Sequence, residues 1–273
     1  MSGDDRPVCV FDSGLGGLTV VRELMDAMPD ENIVYLGDSA RVPYGTKSLD
    51  TVRKFALEDA LFLTKHNPKL LVVACNTASA AAIDVLRDNL SVTVVDVIHP
   101  GAHAAVEYTD GPVGVIATEA TVASNAYVDA IDELSPGRAV CSAACPLLVP
   151  IVEEGRRQDD PIVLHVLGDY LQQLQRFRPS ALILGCTHYP LLAGAIAKLM
   201  GPETELISSA RAAADRAKGL LRGDLASCGG GAAGTLKCFT TGNPERFAHL
   251  GQRFLGRELE DVEFVGTDEL ETR

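Results

Sequence analysis

What this chain has little of removes whole classes of function. Long apolar runs are missing. Although 47% of its 273 residues are hydrophobic, mean hydropathy is only +0.12. No stretch approaches the roughly 20 apolar residues that span a bilayer, so no membrane partner is expected. Positive charge is thin: 24 Lys and Arg stand against 37 Asp and Glu, for a net charge of −13. A nucleic-acid backbone needs clustered cations, so nucleic acid is not expected as a partner. A small anion is still allowed, because local backbone donors can outweigh the global field. Paired cysteines are also scarce. The seven cysteines, Cys9, Cys75, Cys141, Cys145, Cys186, Cys228 and Cys238, are odd in number and irregularly spaced. That fits a reducing compartment better than a disulfide framework. Only Cys141 and Cys145 are close, with no matching second pair, so no structural metal is expected. No Cys-x-x-Cys supports a thiol redox role. The opening Met1-Ser2-Gly3-Asp4-Asp5-Arg6 is polar and leads straight into a strand, without the layout of a secretory signal. The expected location is the cytoplasm.

What is present is an alternation of strands and helices. Aliphatic runs at 8–11, 32–36, 71–73, 92–98, 112–117, 139–142, 181–185, 205–207 and 236–240 read as buried parallel strands. Helical spacing follows Gly17 and covers 48–66, 77–90, 162–177, 191–200, 209–221 and 245–250. His99-Pro100-Gly101 is read as a break after the fourth strand. Cys228-Gly229-Gly230-Gly231 is read as a loop without evident chemistry. Strand–helix alternation predicts an α/β fold with helices on both faces of parallel sheets. The pattern restarts near Gly111, which suggests a duplicated unit.

Two stretches tie the halves together. Leu71-Val72-Val73-Ala74-Cys75-Asn76-Thr77 and Ala181-Leu182-Ile183-Leu184-Gly185-Cys186-Thr187-His188 each carry a cysteine at the carboxyl end of a strand. Open α/β sheets place their ligands there. A strand-end cysteine is ordinarily a small buried hydrophobe. Two in corresponding places suggest thiols brought to one pocket, each with a helix starting directly behind it. A helix N-terminus is expected to lower a thiol's pKa from its free value of about 8.5. One thiol would take a proton from a carbon while the other supplies one to the opposite face, which inverts a stereocentre.

Asp12-Ser13-Gly14-Leu15-Gly16-Gly17 links the first strand to its helix. It is either an anion-binding corner or only a tight connection; its Gly-x-Gly-Gly order departs from the dinucleotide fingerprint. Ser13, the Tyr44-Gly45 turn, Asn76, Thr77, Thr187 and His188 can hold carboxylate and amine groups. Asp12 and His188 are candidate partners for a thiol. Asp38 reads as a turn cap or a site residue, Tyr44 as a site or packing residue, and His99 and His103 as structural.

These motifs together resemble the cofactor-independent glutamate racemases of the aspartate/glutamate racemase superfamily. The matching stretches are Phe11-Asp12-Ser13-Gly14-Leu15-Gly16-Gly17, Tyr35-Leu36-Gly37-Asp38 with Pro43-Tyr44-Gly45, Ala74-Cys75-Asn76-Thr77-Ala78-Ser79, and Gly185-Cys186-Thr187-His188-Tyr189-Pro190. They run in family order over most of the chain, and 240–242 resembles the family's tail. The resemblance implies two doubly wound parallel-sheet α/β domains related by pseudo-twofold symmetry, with the active site between them. The second domain, 99–207, would be inserted into a first made of 1–98 and 208–273. It implies Cys75 as acid/base for the D-enantiomer and Cys186 for the L-enantiomer, assisted by Asp12 and His188. Ser13, Tyr44, Gly45, Asn76, Thr77, Thr118, Thr121 and Thr187 would line the pocket. Either Glu153 or Glu154 would sit near the second thiol. No cofactor or metal is implied. The substrate would be L- or D-glutamate, the role supply of D-glutamate for peptidoglycan, and the assembly a homodimer. Two positions depart from the family's pattern: Ala117 stands where glycine is usual, and His99 where an acidic residue is frequent. Racemisation of aspartate or another acid of the superfamily, and a catalytically idle protein that keeps the pocket for an amino-acid ligand or a protein partner, are the competing readings.

Overall fold

The computed structural model describes residues 4–223 and 233–271, so the glycine-rich stretch Cys228 to Gly231 lies outside the described residues. In chain order the first half runs β1 (Val8–Asp12), α1 (Leu18–Ala27), β2 (Ile33–Gly37), α2 (Leu49–Thr64), β3 (Leu70–Val73), α3 (Asn76–Asn89), β4 (Val94–Asp96) and α4 (Ile98–Tyr108). The second runs β5 (Val113–Ala117), α5 (Glu119–Ala123), α6 (Ala126–Leu134), β6 (Val140–Ala144), α7 (Leu148–Glu153), α8 (Pro161–Phe177), β7 (Ala181–Gly185), α9 (Ala193–Met200) and β8 (Glu205–Ser208). The tail adds α10 (Ser209–Gly223), β9 (Leu236–Thr240), α11 (Pro244–Leu255), β10 (Val262–Phe264) and α12 (Thr267–Leu270).

Two all-parallel sheets result, ordered β10-β9-β2-β1-β3-β4 and β6-β5-β7-β8. The run β2-β1-β3-β4 in one repeats as β6-β5-β7-β8 in the other. In that equivalence β3, which leads to Cys75, corresponds to β7, which leads to Cys186. Likewise β1 ends at Asp12 and β5 ends before Thr118. The duplication suspected from the sequence is therefore a repeat of strand order.

Each central strand is buried along its whole length, as expected of parallel strands covered on both faces. Burying one such Leu or Val is worth about 1.5–3 kcal/mol relative to leaving it exposed. Helix starts follow local chemistry. Ser48, Thr118, Asp160 and Asn243 each accept an N–H of the first turn of α2, α5, α8 and α11, satisfying groups the helix cannot.

The fold corrects three local expectations. The fourth strand is short, and His99-Pro100-Gly101 begins α4 instead of breaking the chain. The Asp96 carboxylate accepts the N–H groups of Ile98 and His99 at 2.8 Å each, and Pro100 sits in a first turn, where no N–H is needed. Behind Cys186 there is no immediate α-helix. A 3-10 turn over Tyr189–Leu192 intervenes, and α9 starts only at Ala193. The edge strand β10, half-buried to exposed, was absent from the sequence reading because its three residues carry no apolar run.

Candidate active site

The strand ends of the two sheets meet at a cleft of about 370 Å³. Its walls carry Ser13, Tyr44, Gly45, Cys75, Asn76, Thr77, Thr118, Cys186, Thr187 and His188, which the sequence had marked. Asp12 and Thr121 lie just behind, both buried.

Cys75 comes from the first sheet. It is the N-cap of α3, and its Sγ accepts the Ala78 N–H at 3.4 Å. Its S–H points to Ser13 Oγ at 3.7 Å. The helix N-terminus was expected to lower this thiol, and that expectation is corrected. Burial, reinforced by the nearby Asp12 charge, pushes Cys75 up to about 12. Removing a thiolate from water outweighs the helix. Burial pushes Cys9, Cys145 and Cys238 to about 12 as well, so location distinguishes Cys75, not acidity.

Cys186 comes from the second sheet and has a different neighbour. Its Sγ lies 3.9 Å from His188 Nδ1. His188 Nε2 donates to Glu153 Oε1 at 2.9 Å. Burial opposes a charged imidazole here, but Cys186 and Glu153 prevail and hold His188 up to about 10. The ring stands edge-on to Phe254. Of the two glutamates, Glu153 lines the cleft, whereas Glu154 lies on a separate surface loop beside Arg156 and Asp160.

The glycine-rich turn serves close approach. A Cβ at Gly16 would come within 2.1 Å of Thr187 Oγ1 and 2.6 Å of the His188 ring. A Cβ at Gly17 would meet Asp12 Cβ at 2.4 Å. The turn thus lets the first unit abut the Cys186 strand end, and neither glycine needs a positive φ. Within it, Asp12 Oδ2 accepts the Gly14 N–H at 2.9 Å, while Oδ1 is buried without a hydrogen-bond partner. Burial raises the Asp12 carboxyl, opposed by His188. Thr19, on α1, donates at 3.0 Å to the Thr187 carbonyl across the two units.

Further contacts join the units at the opposite wall. Thr77 Oγ1 lies 3.0 Å from Thr118 Oγ1 and 3.4 Å from Thr121 Oγ1. Gly45 packs so tightly on Thr118 that a Cβ would approach its Cβ to 2.9 Å. The Tyr127 hydroxyl donates to Asn76 Oδ1 at 2.7 Å. Tyr44 combines both roles weighed for it. It lines the cleft, and its hydroxyl lies 2.5 Å from Asp38 Oδ2 and 2.9 Å from Asp59 Oδ2. Asp38 is a buried network member rather than a simple turn cap: it also meets Arg41 Nε at 2.7 Å and Thr241 Oγ1 at 2.9 Å.

The sequence missed several wall residues: Val42, Pro43, Thr46, Glu119, Pro146, Val149 and Pro150. Thr46 and Glu119 directly follow marked residues, Pro43 caps a 3-10 turn, and Val149 and Pro150 lie within α7; nothing in their own spacing points to a cleft. His99 and His103 lie elsewhere, lining a second cavity of about 660 Å³ with Arg87 and Arg216. His99 Nδ1 pairs with Asp96 at 2.9 Å. Ala117 is fully buried at the end of β5, against Gly185. Among the described residues, no three His, Cys, Asp or Glu side chains converge as a metal-holding group. No described helix is long and apolar enough to cross a membrane.

With this geometry established, similarity to known proteins becomes informative. The family model for Asp/Glu/hydantoin racemases matches residues 18–217. The glutamate racemase of Geobacter metallireducens is 46% identical over 259 residues, covering 94% of this chain and 95% of that protein. Among solved structures, glutamate racemase isoform RacE1 of Bacillus anthracis superposes with a TM-score of 0.91 at 40% identity, covering 96% of this chain and 98% of that one. The glutamate racemase of Francisella tularensis, solved in complex with D-glutamate, gives 0.90 at 39% identity, with coverages of 97% and 98%. The chain belongs to the Asp/Glu/hydantoin racemase family and is an isomerase.

Proposed function

We propose that this racemase interconverts L- and D-glutamate, with Cys75 and Cys186 as the two acid/bases and no cofactor. The observation that carries the reading is the pair of strand-end thiols, one from each sheet, lining a single cleft. The identity to glutamate racemases over nearly the whole chain supports the substrate. A thiolate on one face takes the α-proton, and the electron pair left on carbon delocalises into the adjacent carboxylate. The thiol on the other face gives its proton to that carbon. One sulfur ends protonated and the other deprotonated, and exchange with water resets them.

In this reading Cys75 works on the D-enantiomer and Cys186 on the L-enantiomer. His188, bonded to Glu153 and 3.9 Å from Cys186 Sγ, passes a proton to or from that sulfur. Asp12, with one oxygen unpaired, serves the Cys75 side and the substrate ammonium. Ser13, Tyr44, Gly45, Asn76, Thr77, Thr118, Thr121 and Thr187 complete the substrate pocket. We assign 1–98 with 208–273 to the first domain and 99–207 to the second. The wider reading is a cytoplasmic homodimer that supplies D-glutamate for peptidoglycan.

The test is α-proton exchange and optical rotation in D₂O, with purified reduced protein and no added cofactor. Loss of rotation from both L- and D-glutamate, with deuterium entering at the α-carbon, is the expected result. Full racemisation by both Cys75→Ala and Cys186→Ala would sink the two-thiol mechanism. Faster turnover of aspartate would reassign the substrate. Tight D-glutamate binding without exchange would point to a binding protein.

A further inference from the structure

Asn76 and Tyr127 come from different halves of the chain, and neither is exposed by more than 3%. Asn76 is the first residue of α3, next to Cys75, and lines the cleft. Tyr127 sits on α6 and reaches it across the junction between the two sheets. Its phenol donates to Asn76 Oδ1 at 2.7 Å. The other end of the same amide, Nδ2, is buried and has no hydrogen-bond partner. A buried amide nitrogen without a partner costs about 1–3 kcal/mol, so such a group calls for an explanation.

We propose that Tyr127 is a positioning residue: it holds the Asn76 amide by its oxygen, so that Nδ2 is presented to the cleft as a donor for a substrate carboxylate. The inference rests on the reading of Asn76 as a substrate-binding residue. An asparagine side chain can present either end, since its oxygen and nitrogen are nearly the same size. A donor fixed on Oδ1 removes that ambiguity. Burial pushes the Tyr127 phenol above its usual range, so it keeps the proton it donates. Ser209 Oγ, close by, gives its proton to the Leu184 carbonyl at 2.9 Å.

The tyrosine ring is held independently of its hydroxyl. It packs on Gly185, where an added Cβ would stand 2.9 Å from a ring carbon, and against Gly101. Removing the oxygen alone therefore leaves the packing in place. Because the bond joins α6 of one unit to α3 of the other, the amide is set only when the two sheets stand as they do here. The donor is thus present only in the assembled cleft, beside one of the two thiols.

The experiment is a double-mutant cycle on racemisation, run with L- and D-glutamate in both directions. The variants are Tyr127→Phe, Asn76→Ala, the pair together, and Asn76→Asp. Melting curves report the fold of each. Tyr127→Phe is expected to lower kcat/KM about ten-fold, mostly through KM, because a binding donor has been left to wander. The pair should be no worse than Asn76→Ala alone. Asn76→Asp keeps the shape and the bond to Tyr127 but replaces the donor by a negative acceptor. It should raise KM more than Asn76→Ala does, whether or not Tyr127→Phe folds. If Asn76→Ala raises KM while Tyr127→Phe is silent, or costs as much again when added to Asn76→Ala, the positioning role is overturned and the substrate role of Asn76 stands. If Asn76→Asp binds glutamate as well as wild type, the amide presents its oxygen and the proposal is wrong. If Asn76→Ala leaves KM unchanged, the substrate reading of Asn76 falls and takes the inference with it.

Discussion

The Glu153 carboxylate holds His188 by Nε2 at 2.9 Å, which leaves Nδ1 facing Cys186 Sγ at 3.9 Å. The imidazole is thus oriented by one group and presented to another. Against burial, Cys186 and this carboxylate together keep it protonated well beyond the usual histidine range.

Glu153→Gln keeps the size of the side chain and removes its charge. The racemisation rate should fall by about ten-fold or more, the scale of a hydrogen bond to a charged group. The equilibrium constant between mirror-image substrates is one, so kcat/KM must fall equally from either enantiomer. The alkaline limb governed by His188, near 10 in the wild type, should move to lower pH. Glu154→Gln, on the separate surface loop, should leave both rate and pH profile unchanged. Initial rates across pH for the two variants check this.

His188 also makes stability depend on pH. Its folded pKa of about 10 lies above the 6.5 of an ordinary histidine. Its contribution is therefore complete below about 6.5 and disappears as pH rises through about 10. Urea midpoints should fall between pH 7 and pH 10.5 in the wild type, and fall less in His188→Asn. Equal slopes for the two proteins would show that His188 is not the titrating group.

Two glycines give opposite expectations for one substitution. Gly16→Ala places a methyl 2.1 Å from Thr187 Oγ1 and 2.6 Å from the His188 ring, so these packed side chains must shift, at a cost of about 1–3 kcal/mol. The same shift displaces His188 and should depress racemisation. Gly168→Ala lies inside α8 with nothing within 4 Å of the added carbon. It should stabilise by about 1 kcal/mol through helix propensity, without effect on rate. Thermal melts and initial rates on both variants test the pair.

The parts that were legible in the sequence are those set by local pattern. Buried strands such as Leu70–Val73 and Ala181–Gly185 announce themselves as continuous aliphatic runs, and their repetition brought Cys75 and Cys186 to notice. What was not legible depends on distant neighbours. The phase of the short helix α7 decides that Glu153, not Glu154, meets His188. Tyr127 finds Asn76 only because α6 folds back across the junction. The Cys75 thiol was misjudged because a helix N-terminus is local while burial is a property of the whole fold. Pro100 was read as a breaker because the capping carboxylate that makes a first turn of it, Asp96, lies before it in a strand.

The loop that carries Tyr44 and Gly45 is anchored by an unbalanced set of charges, and this gives the last expectation. Arg41 donates to Asp38 and Asp59 at 2.7 Å each, and also to Glu58. One guanidinium faces three carboxyls, all largely buried. The Tyr44 hydroxyl touches both Asp38 and Asp59 but owns one proton, so one carboxyl must supply another. Burial, and then the Asp38 charge, push Asp59 well above the usual carboxylate range, which makes Asp59 the proton holder. A raised carboxyl pKa stabilises the fold below its unfolded value and loses that contribution as pH rises through the folded one. Asp59→Asn imitates the protonated form, so it should fold, retain racemisation near neutrality, and lose less stability than wild type on going to alkaline pH. Arg41→Met leaves Asp38 and Asp59 without their cation, while Glu58 keeps Lys54 at 3.7 Å, and should cost about 3–5 kcal/mol, a deficit that shrinks as pH falls and the carboxyls protonate. Denaturant titrations of both variants at pH 5, 7 and 9 separate the two effects. A wild-type-like pH dependence in Asp59→Asn would place the proton on another member of the cluster.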